Sequence, residues 1–397
     1  MKRRKFNMNG YFEFINSVKI LCGDGALENL AYELDFLGCK SPLLLSDEGL
    51  VKVGTVDMVK AACKGVAFNT TFTDIPADSS TLTINQIARL YNHNKCDGIV
   101  ALGGGSVIDT AKGVRLMLSQ KVENILTLSG NEIVKKGAHI PFVVMPTTSG
   151  TGSECTAVAV IKDANTHTKL EFISSELLPD AAILDVRLTK TLPAKLTAST
   201  AFDALVHSVE AYTSLQKNPI SDVYATTAIK LISSNMFDVL DSGDTVARLN
   251  LALASNLAGT AFSNAMVGIV HAIGHACGAV SNIPHGNAMT MLLAPCMRFN
   301  LDVCHVEYSN LLLYFTNEET YANTQPNERA KLLIEKVEEM ANRIHEKTGL
   351  MIKLSEYGVK EEDLEKIALK AIDDGAAIVN QKKFTKDDVI AILKEIF

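Results

Sequence analysis

The hydrophobic pattern of this chain changes character near its midpoint, and that change limits the folds available to it. The first half alternates short apolar runs of β character with segments of helical period. Three of the apolar runs predict buried strands, at Leu43–Ser46, Gly98–Leu102 and Pro141–Met145. Strands that alternate with helices form βαβ units, which assemble into a largely parallel sheet. Nucleotide-binding crevices form at the carboxyl ends of the strands in such sheets.

Beyond about Thr200, nearly every segment has helical period instead. Thr385 followed by Asp388 also fits a capping box that opens a last helix. With apolar residues at three- and four-residue steps, the strongest patterns predict helices at 199–214, 222–240, 244–261, 327–347 and 385–397.

The length and composition are those of a large globular protein with two domains. A chain of 397 residues exceeds the usual size of one domain. Its content of 47% hydrophobic and 21% charged residues is enough for a sizeable core. We place an α/β domain at residues 1–187 and an all-helical domain at 188–397, with a cleft between them.

The net charge and the cysteines argue against several classes of protein. A formal charge of −7 argues against nucleic acid or an anionic membrane as partner. The chain has no signal-peptide core and no run of the roughly 20 apolar residues that span a bilayer, so we expect neither secretion nor a membrane span. The eight cysteines are scattered singly, without a Cys-x-x-Cys pair, which indicates reduced thiols in a cytoplasmic protein.

Two polar loops follow predicted strands and carry the pattern of a dinucleotide site. Gly103-Gly104-Gly105-Ser106 comes after the second strand, where consecutive glycines let the backbone approach a diphosphate and the next helix offers unpaired N–H groups. Pro146–Glu154 follows the third strand and is rich in hydroxyl groups and glycine. Each loop alone is also compatible with an ordinary turn. Two such loops at one sheet edge favour a dinucleotide.

Histidines concentrate in the second half, beside one carboxylate. Asp203 and His207 lie four residues apart on one face of a predicted helix with apolar flanks, so both can bind one cation. Two of the later imidazoles of His271, His275 and His285 would complete a roughly tetrahedral shell. A single histidine on an apolar helix is more often a packed side chain, and an Asp–His pair can lie on a helix surface. The cluster as a whole favours a divalent metal, because a buried carboxylate needs a compensating charge.

Taken in order, these motifs resemble the iron-containing (group III) alcohol dehydrogenase family. The resemblance implies a Rossmann-like N-terminal domain, a helical C-terminal domain and catalysis in the cleft between them. Besides the two loops and the histidine runs, the matches are Leu188-Thr189 before Leu192-Pro193, Glu210-Ala211-Tyr212, Asn218-Pro219 and Pro284-His285-Gly286.

The resemblance also implies roles for individual residues. It implies that Asp203, His207, His271 and His285 bind the metal. It implies a position for His275 near the nicotinamide, where this ring could pass a proton to solvent or merely pack. The dinucleotide contacts that it implies are Gly104, Gly105, Ser106, Asp109, Thr147, Thr148, Thr151, Lys169 and Leu188.

Asp47 bears on the choice of cofactor. It follows the apolar run of the first predicted strand, at the carboxyl end on the nucleotide edge. A carboxylate there can accept hydrogen bonds from the adenosine ribose of NAD and would repel the 2′-phosphate of NADP. We therefore predict a preference for NAD(H), although a solvated loop position beside Glu48 also fits the pattern.

Together these features predict a metal-dependent oxidoreductase that transfers a hydride between NAD(H) and a small primary alcohol or aldehyde. Aliphatic alcohols, diols and lactaldehyde are the candidate substrates. The ligand set suits several metals, and the resemblance favours Fe²⁺ with Zn²⁺ as the alternative. Two other functions stay open, namely a glycerol-dehydrogenase-like oxidation of polyols on zinc and a non-catalytic metal- or nucleotide-binding subunit.

The resemblance further implies a homodimer or a larger homo-oligomer. Phe12–Ile15 offers a short apolar segment that could pair along a sheet edge with another subunit.

Overall fold

A computed structural model of the chain describes residues 11–129, 134–166 and 168–397. In these ranges, the strands are β1 (Lys19–Cys22), β2 (Pro42–Leu45), β3 (Thr70–Phe72), β4 (Gly98–Gly103), β5 (Phe142–Pro146), β6 (Val158–Lys162), β7 (Lys169–Ile173) and β8 (Ala181–Leu184).

Six of these strands form one sheet in the order β1–β8–β5–β4–β2–β3, and all of its pairings are parallel. β6 and β7 form a separate antiparallel pair. Alternate residues of β4 face two different cores, with Ile99 and Ala101 in one and Val100 and Leu102 in the other. A strand that is buried on both faces reads as a continuous apolar run, which is why β2, β4 and β5 could be predicted. The predicted parallel α/β sheet is confirmed.

The helices divide into those that accompany the sheet and those that follow it. The first group is α1 (Leu30–Phe36), α2 (Glu48–Lys52), α3 (Thr55–Ala62), α4 (Thr81–His93), α5 (Gly105–Gln120) and α6 (Val186–Thr189). The second group is α7 (Ala194–Thr213), α8 (Pro219–Ser242), α9 (Thr245–Ser263), α10 (Ile269–Ser281), α11 (His285–Phe315), α12 (Glu318–Asn323), α13 (Arg329–Thr348), α14 (Glu361–Ile372) and α15 (Lys386–Glu395).

The second group of helices shares one large apolar core, and the predicted all-helical half is confirmed. The capping box is confirmed as well, since the Thr385 hydroxyl accepts from the Asp388 amide and the Asp388 carboxylate accepts from the Thr385 amide. The predicted domain boundary at 187/188 falls inside α6, and the domain limits stay a prediction. Among the described helices, none is both long enough and apolar enough to cross a bilayer.

The strand order creates a crevice beside β2 and β4. The chain leaves β2 toward β3 on one side of the sheet and leaves β4 toward β5 on the other. The loops that follow these two adjacent strands therefore diverge, and ligands of parallel sheets bind at such a switch point. Asp47 lies two residues beyond β2 and Gly104 directly beyond β4, so these two residues flank the crevice.

The N-terminal segment 11–18 has no regular secondary structure within the described chain, and the pairing of Phe12–Ile15 with another subunit stays a prediction. The Ile15 amide donates to Asn264 Oδ1 at 2.7 Å, and the Ile15 carbonyl accepts from Asn264 Nδ2 at 3.0 Å. The Phe14 ring lies 5.7 Å from that of Tyr224. Within the chain, the segment is thus held by Asn264, the residue after α9, and by Tyr224 of α8.

Candidate metal and cofactor site

Three imidazoles from three helices converge on one carboxylate oxygen, Asp203 Oδ1. α7 carries Asp203 and His207 on one face, α10 contributes His271 from its first turn, and α11 begins at His285. Oδ1 of Asp203 lies 3.9 Å from His207 Nε2, 3.7 Å from His271 Nε2 and 3.3 Å from His285 Nε2. Ligand atoms about 2.1 Å from a tetrahedral ion stand about 3.4 Å apart. The ligand atoms of Asp203, His207 and His271 all lie within 4.8 Å of one another, which suits one shared cation, whereas His285 approaches Asp203 but is not part of that mutually close group.

Several atoms of this cluster are buried without partners. Asp203 Oδ1, His207 Nδ1 and His271 Nε2 make no hydrogen bond to any described residue. Each buried polar atom that is left unpaired costs about 1–3 kcal/mol, so three together are unusual for side chains that only pack. A cation inside the cluster would satisfy Asp203 and His271 directly. The residues present fit a divalent metal.

The electrostatics of the cluster favour the protonation states that bind metals. Burial lowers the pKa of His207 to about 3 and that of His271 well below its ordinary value, so both rings are neutral near pH 7. Burial also acts to raise the pKa of Asp203, but the surrounding imidazoles, His207 and His285 foremost, outweigh it and hold this pKa below the ordinary range. Metals bind neutral imidazoles and ionised carboxylates.

Sequence reasoning gave no role to two residues that contact the predicted ligands. Glu210 lies on the same face of α7 as Asp203 and His207, and its carboxylate is 2.6 Å from His271 Nδ1. Burial raises the pKa of Glu210 to about 7. The ring of Phe262 stacks on that of His207, with centroids 4.2 Å apart. The i, i+4, i+7 spacing of the three polar residues of α7 was a signal that could have found Glu210.

His275 stands beside the cluster rather than within it. It follows His271 by one turn of α10, and its ring centroid lies 5.7 Å from that of His271 and 5.5 Å from that of His285. Its Nδ1 is 3.0 Å from Asp374 Oδ2, and 35% of its side chain is exposed. A half-exposed imidazole that is held by a carboxylate is suited to move protons between a site and solvent.

The two polar loops lie side by side at the carboxyl ends of β4 and β5. The Thr147 amide donates to the Gly103 carbonyl at 3.0 Å. A Cβ added to Gly104 would stand 3.1 Å from Thr148 Cγ2, and one added to Gly105 would stand 3.0 Å from Thr151 Cγ2. Both glycines therefore press against the threonines of the neighbouring loop, where a larger residue would have to displace them.

The second loop also touches the helix that carries two of the predicted metal ligands. A Cβ added to Gly150 would stand 2.6 Å from Thr200 Cβ. Thr200 precedes Asp203 by about one turn of α7. The structure thus places the second loop, and the first loop beside it, next to the helix of Asp203 and His207, and this junction of sheet and helices is the candidate cleft.

Ser106 and Lys169 lie near the first loop but already have partners. The Ser106 hydroxyl donates to the Ala77 carbonyl. Lys169, on β7, is exposed and pairs with Asp78 at 3.2 Å, next to Ala77 in the chain.

The other predicted cofactor residues are engaged within the protein. Both carboxylate oxygens of Asp109 accept protein donors, Oδ1 from Ser153 Oγ at 2.6 Å and Oδ2 from the Val160 amide at 3.0 Å. The Leu188 side chain is buried in the core, so only its backbone can face the cleft. Asp47 caps α2, with Oδ1 accepting from the Leu50 amide at 3.0 Å.

This fold and this cleft are those of an oxidoreductase that uses a nicotinamide dinucleotide. The family model for iron-containing alcohol dehydrogenases matches residues 17–186, and the model for the C-terminal part of the Fe-containing alcohol dehydrogenase family matches residues 197–397. The chain belongs to the iron-containing alcohol dehydrogenase family.

Individual relatives span almost the whole chain. The probable alcohol dehydrogenase EutG of Salmonella typhimurium is 34% identical over 373 residues, which cover 93% of this chain and 91% of the relative. The NADPH-dependent butanol dehydrogenase of Clostridium saccharobutylicum is 31% identical over 389 residues, which cover 95% of this chain and 96% of the relative. Among solved structures, an alcohol dehydrogenase from Oenococcus oeni is 31% identical, with a TM-score of 0.91 over 98% of this chain and 100% of the other.

Proposed function

We propose that this enzyme interconverts a small primary alcohol and its aldehyde with NAD(H), at a divalent metal held by Asp203, His207, His271 and His285. The observation that carries the proposal is the convergence of three imidazole Nε2 atoms on Asp203 Oδ1, at 3.3 to 3.9 Å. Asp203 Oδ1 and His271 Nε2 are buried there without partners among the described residues.

The residues of the cleft divide the work of the reaction. A divalent cation supplies a Lewis acid for the alcohol oxygen, and the nicotinamide supplies the hydride acceptor. His285 is 42% exposed, so this side of the cluster is open to substrate, as a catalytic metal site requires. His275 moves the proton between the cleft and solvent while Asp374 holds its Nδ1.

The dinucleotide is proposed to bind across the crevice outside β2 and β4. Its diphosphate would meet the backbone of Gly104 and Gly105 at the start of α5, where N–H groups and the helix dipole favour negative charge. The hydroxyls of Thr147, Thr148 and Thr151 line the route from there toward α7. The proposed path of the dinucleotide is also bordered by residues whose contacts within the protein are described above, namely Ser106, Asp109, Lys169 and Leu188.

The preference for NAD(H) rests on Asp47 rather than on the family. One relative of nearly full length is named as NADPH-dependent, so membership alone leaves the choice open. Asp47 flanks the crevice and uses Oδ1 to cap α2, which leaves Oδ2 outside that hydrogen bond. The ribose of the cofactor is proposed to bind there.

A screen of substrates with defined metals tests the function. The protein is purified anaerobically, its iron and zinc are measured, and NADH oxidation is followed with short aldehydes, hydroxyaldehydes and lactaldehyde. Protein treated with a chelator is the control and should regain activity with Fe²⁺ more than with Zn²⁺. Turnover confined to polyols on zinc would support the glycerol-dehydrogenase-like alternative. A lack of turnover with every combination of metal and substrate would indicate a non-catalytic binding subunit.

We also propose a homodimer or larger homo-oligomer in the cytoplasm. β1 lies at the end of the sheet order, so its outer edge has no partner strand in the described chain, and exposed edges favour pairing between chains. On α1, the exposed rings of Tyr32 and Phe36 stack on each other. All eight cysteines are free, which suits a reducing compartment. Light scattering that shows a strict monomer at micromolar concentration would contradict the assembly.

A further inference from the structure

Glu210 is a buried carboxylate whose two oxygens accept from neighbouring residues of α10. Its Oε1 accepts from the Val270 amide at 2.7 Å, and its Oε2 lies 2.6 Å from His271 Nδ1. The N-cap residue of α10 is Gly268, which has no side chain to cap the helix. A Cβ at Gly268 would stand 3.2 Å from Glu210 Oε1, so the glycine leaves room for the carboxylate. Glu210 therefore joins α7 to the first turn of α10.

These two hydrogen bonds decide where the ring proton of His271 resides. The Val270 amide can only donate, so Oε1 is an acceptor. The carboxylate also accepts at Oε2, which requires a hydrogen on His271 Nδ1. A neutral imidazole carries one ring hydrogen, so Nε2 keeps a free lone pair. Nε2 is the nitrogen that faces Asp203 Oδ1 at 3.7 Å without a hydrogen bond to any described residue.

We propose that Glu210 is a positioning residue that makes His271 a metal ligand, by holding its ring in the Nδ1–H tautomer with Nε2 toward the cation. The inference rests on the proposed metal site. A carboxylate behind a ligating histidine fixes the tautomer and orients the ring. Glu210 and Asp203 also give the buried site two negative charges, which match the charge of one divalent cation.

Glu210→Gln changes this arrangement while nearly preserving its shape. The amide oxygen of glutamine can accept from the Val270 amide, so its NH₂ group then faces His271 Nδ1. Two donors cannot pair, so the ring hydrogen moves to Nε2 and blocks the ligand atom. The reverse orientation would set the NH₂ group against the Val270 amide, which is a donor only. The variant should keep the cap of α10 and lose the ligand.

Nitrogen-15 NMR of the histidine rings tests the tautomer directly in metal-free protein. The spectra are recorded at pH 8. The His271 signals are assigned by their loss in His271→Gln. We expect a protonated Nδ1 in the wild type and a protonated Nε2 in Glu210→Gln. A wild-type ring with its hydrogen on Nε2 would overturn the proposal, and that spectrum decides even if the variant fails to fold.

Binding of Zn²⁺, measured by competition with a chromophoric chelator, tests the consequence. Glu210→Gln should weaken binding about 10–100-fold, as loss of a partner behind a metal ligand does. Glu33→Gln is the matched control, because Glu33 on α1 is also buried and accepts from Lys19 Nζ at 2.6 Å. It should bind Zn²⁺ as the wild type does. Glu210→Asp retains a carboxylate and should recover part of the affinity.

The results separate this role from the proposed function. Equal affinity in the wild type and Glu210→Gln, or equal loss in both glutamine variants, would overturn the role of Glu210 and leave the metal site standing. A wild-type protein that binds neither Fe²⁺ nor Zn²⁺ would overturn the proposed metal site itself. Thermal unfolding and NADH binding check that each variant is folded.

Discussion

His271 is the most deeply buried imidazole of the cluster, and its removal separates metal binding from cofactor binding. His271→Ala takes away one ligand and leaves the Asp203 charge less compensated. We expect the variant to lose its bound metal. Its activity should fall by more than the roughly 10–100-fold that follows when only a residue supporting a metal ligand is lost. NAD(H) affinity should be kept, because the glycine loops follow strands of the sheet.

Elemental analysis, turnover and NADH titration measure these three effects of His271→Ala. His345→Ala is the control, since His345 lies on α13 and its Nδ1 bonds to the Leu350 carbonyl at 2.7 Å. The control should keep its metal. Wild-type turnover by metal-free His271→Ala would show that His271 is not a required ligand.

His275 tests the path of the proton. His275→Ala removes the imidazole that Asp374 holds at 3.0 Å, while the four predicted ligands stay in place. We expect the rate to fall about a hundredfold or more, as loss of a general acid–base does, and the pH–rate profile to flatten. Metal content should not change. Rates equal to the wild type across the pH range would mean that His275 only packs beside the metal helix.

Asp47 tests the choice of cofactor, and its cap of α2 dictates the variants. Asp47→Asn keeps an acceptor for the Leu50 amide and removes the charge, whereas Asp47→Gly removes both. Both variants should gain affinity for NADP(H), because the repulsion of a 2′-phosphate costs about 1–3 kcal/mol, or roughly ten- to a hundredfold. Glu48→Gln is the control, since this neighbouring acid pairs with Lys52 at 2.8 Å. The measurement is the KM for NAD(H) and for NADP(H). If neither value changes in Asp47→Asn, Asp47 does not contact the ribose.

At the residue scale, the sequence exposes those contacts that follow from spacing along one element. Asp203 and His207 are recognisable because four residues bring them to one helix face. Glu210 and Asp374 are harder to recognise, because each gains its role only when a distant segment packs beside α10. Asp374 is 99 residues away from the histidine that it holds.

At the scale of elements, three buried strands were predictable, whereas the buried strand β8 and the pairing of the strands were not. β2, β4 and β5 stand out as apolar runs, whereas β1, β3 and β7 are short or partly exposed and have no such pattern. The order of the strands, and with it the crevice between β2 and β4, depends on packing that no local pattern records. The N-terminal segment shows the same limit, since Asn264 binds it from 249 residues away.

Lys112 ties α5 to the segment that opens β6, and it does so without any exposure to solvent. Its ammonium group donates to the Thr156 carbonyl at 2.8 Å, to Thr156 Oγ1 at 2.9 Å and to the Val158 carbonyl at 2.7 Å. Lys112→Met keeps the length of the side chain but leaves these acceptors unpaired. We expect the free energy of unfolding to fall by about 3–5 kcal/mol.

Denaturant unfolding measures the effect of Lys112→Met. The control is Lys370→Met on α14, where the lysine is exposed and the change should stay within about 0.5 kcal/mol. Equal stability of the two variants would mean that the three hydrogen bonds of Lys112 add nothing to the join between α5 and β6.

At the scale of the whole molecule, the second polar loop fastens the sheet to the helices. Glu154 accepts from Asn256 Nδ2 at 3.0 Å, and the Ala157 amide donates to Ser263 Oγ at 3.0 Å. Both partners lie on α9, which packs against the α7 helix of Asp203 and His207. The distance between the cofactor loops and the metal cluster is therefore set by how closely this loop approaches α9.

Gly152 and Gly259 form a close approach between that loop and α9. A Cβ at Gly259 would stand 2.7 Å from Cys155 Sγ and 2.8 Å from Gly152 Cα, so Gly259→Ala must push the loop away. Overpacking costs about 1–3 kcal/mol and outweighs the roughly 1 kcal/mol that alanine gains over glycine inside a helix. We expect a lower Tm, a raised KM for NAD(H) and an unchanged metal content.

Gly278→Ala is the matched control inside α10, where the nearest atom would be 3.5 Å away and the Tm should hold or rise. Identical Tm and KM in the two variants would show that this contact does not set the cleft.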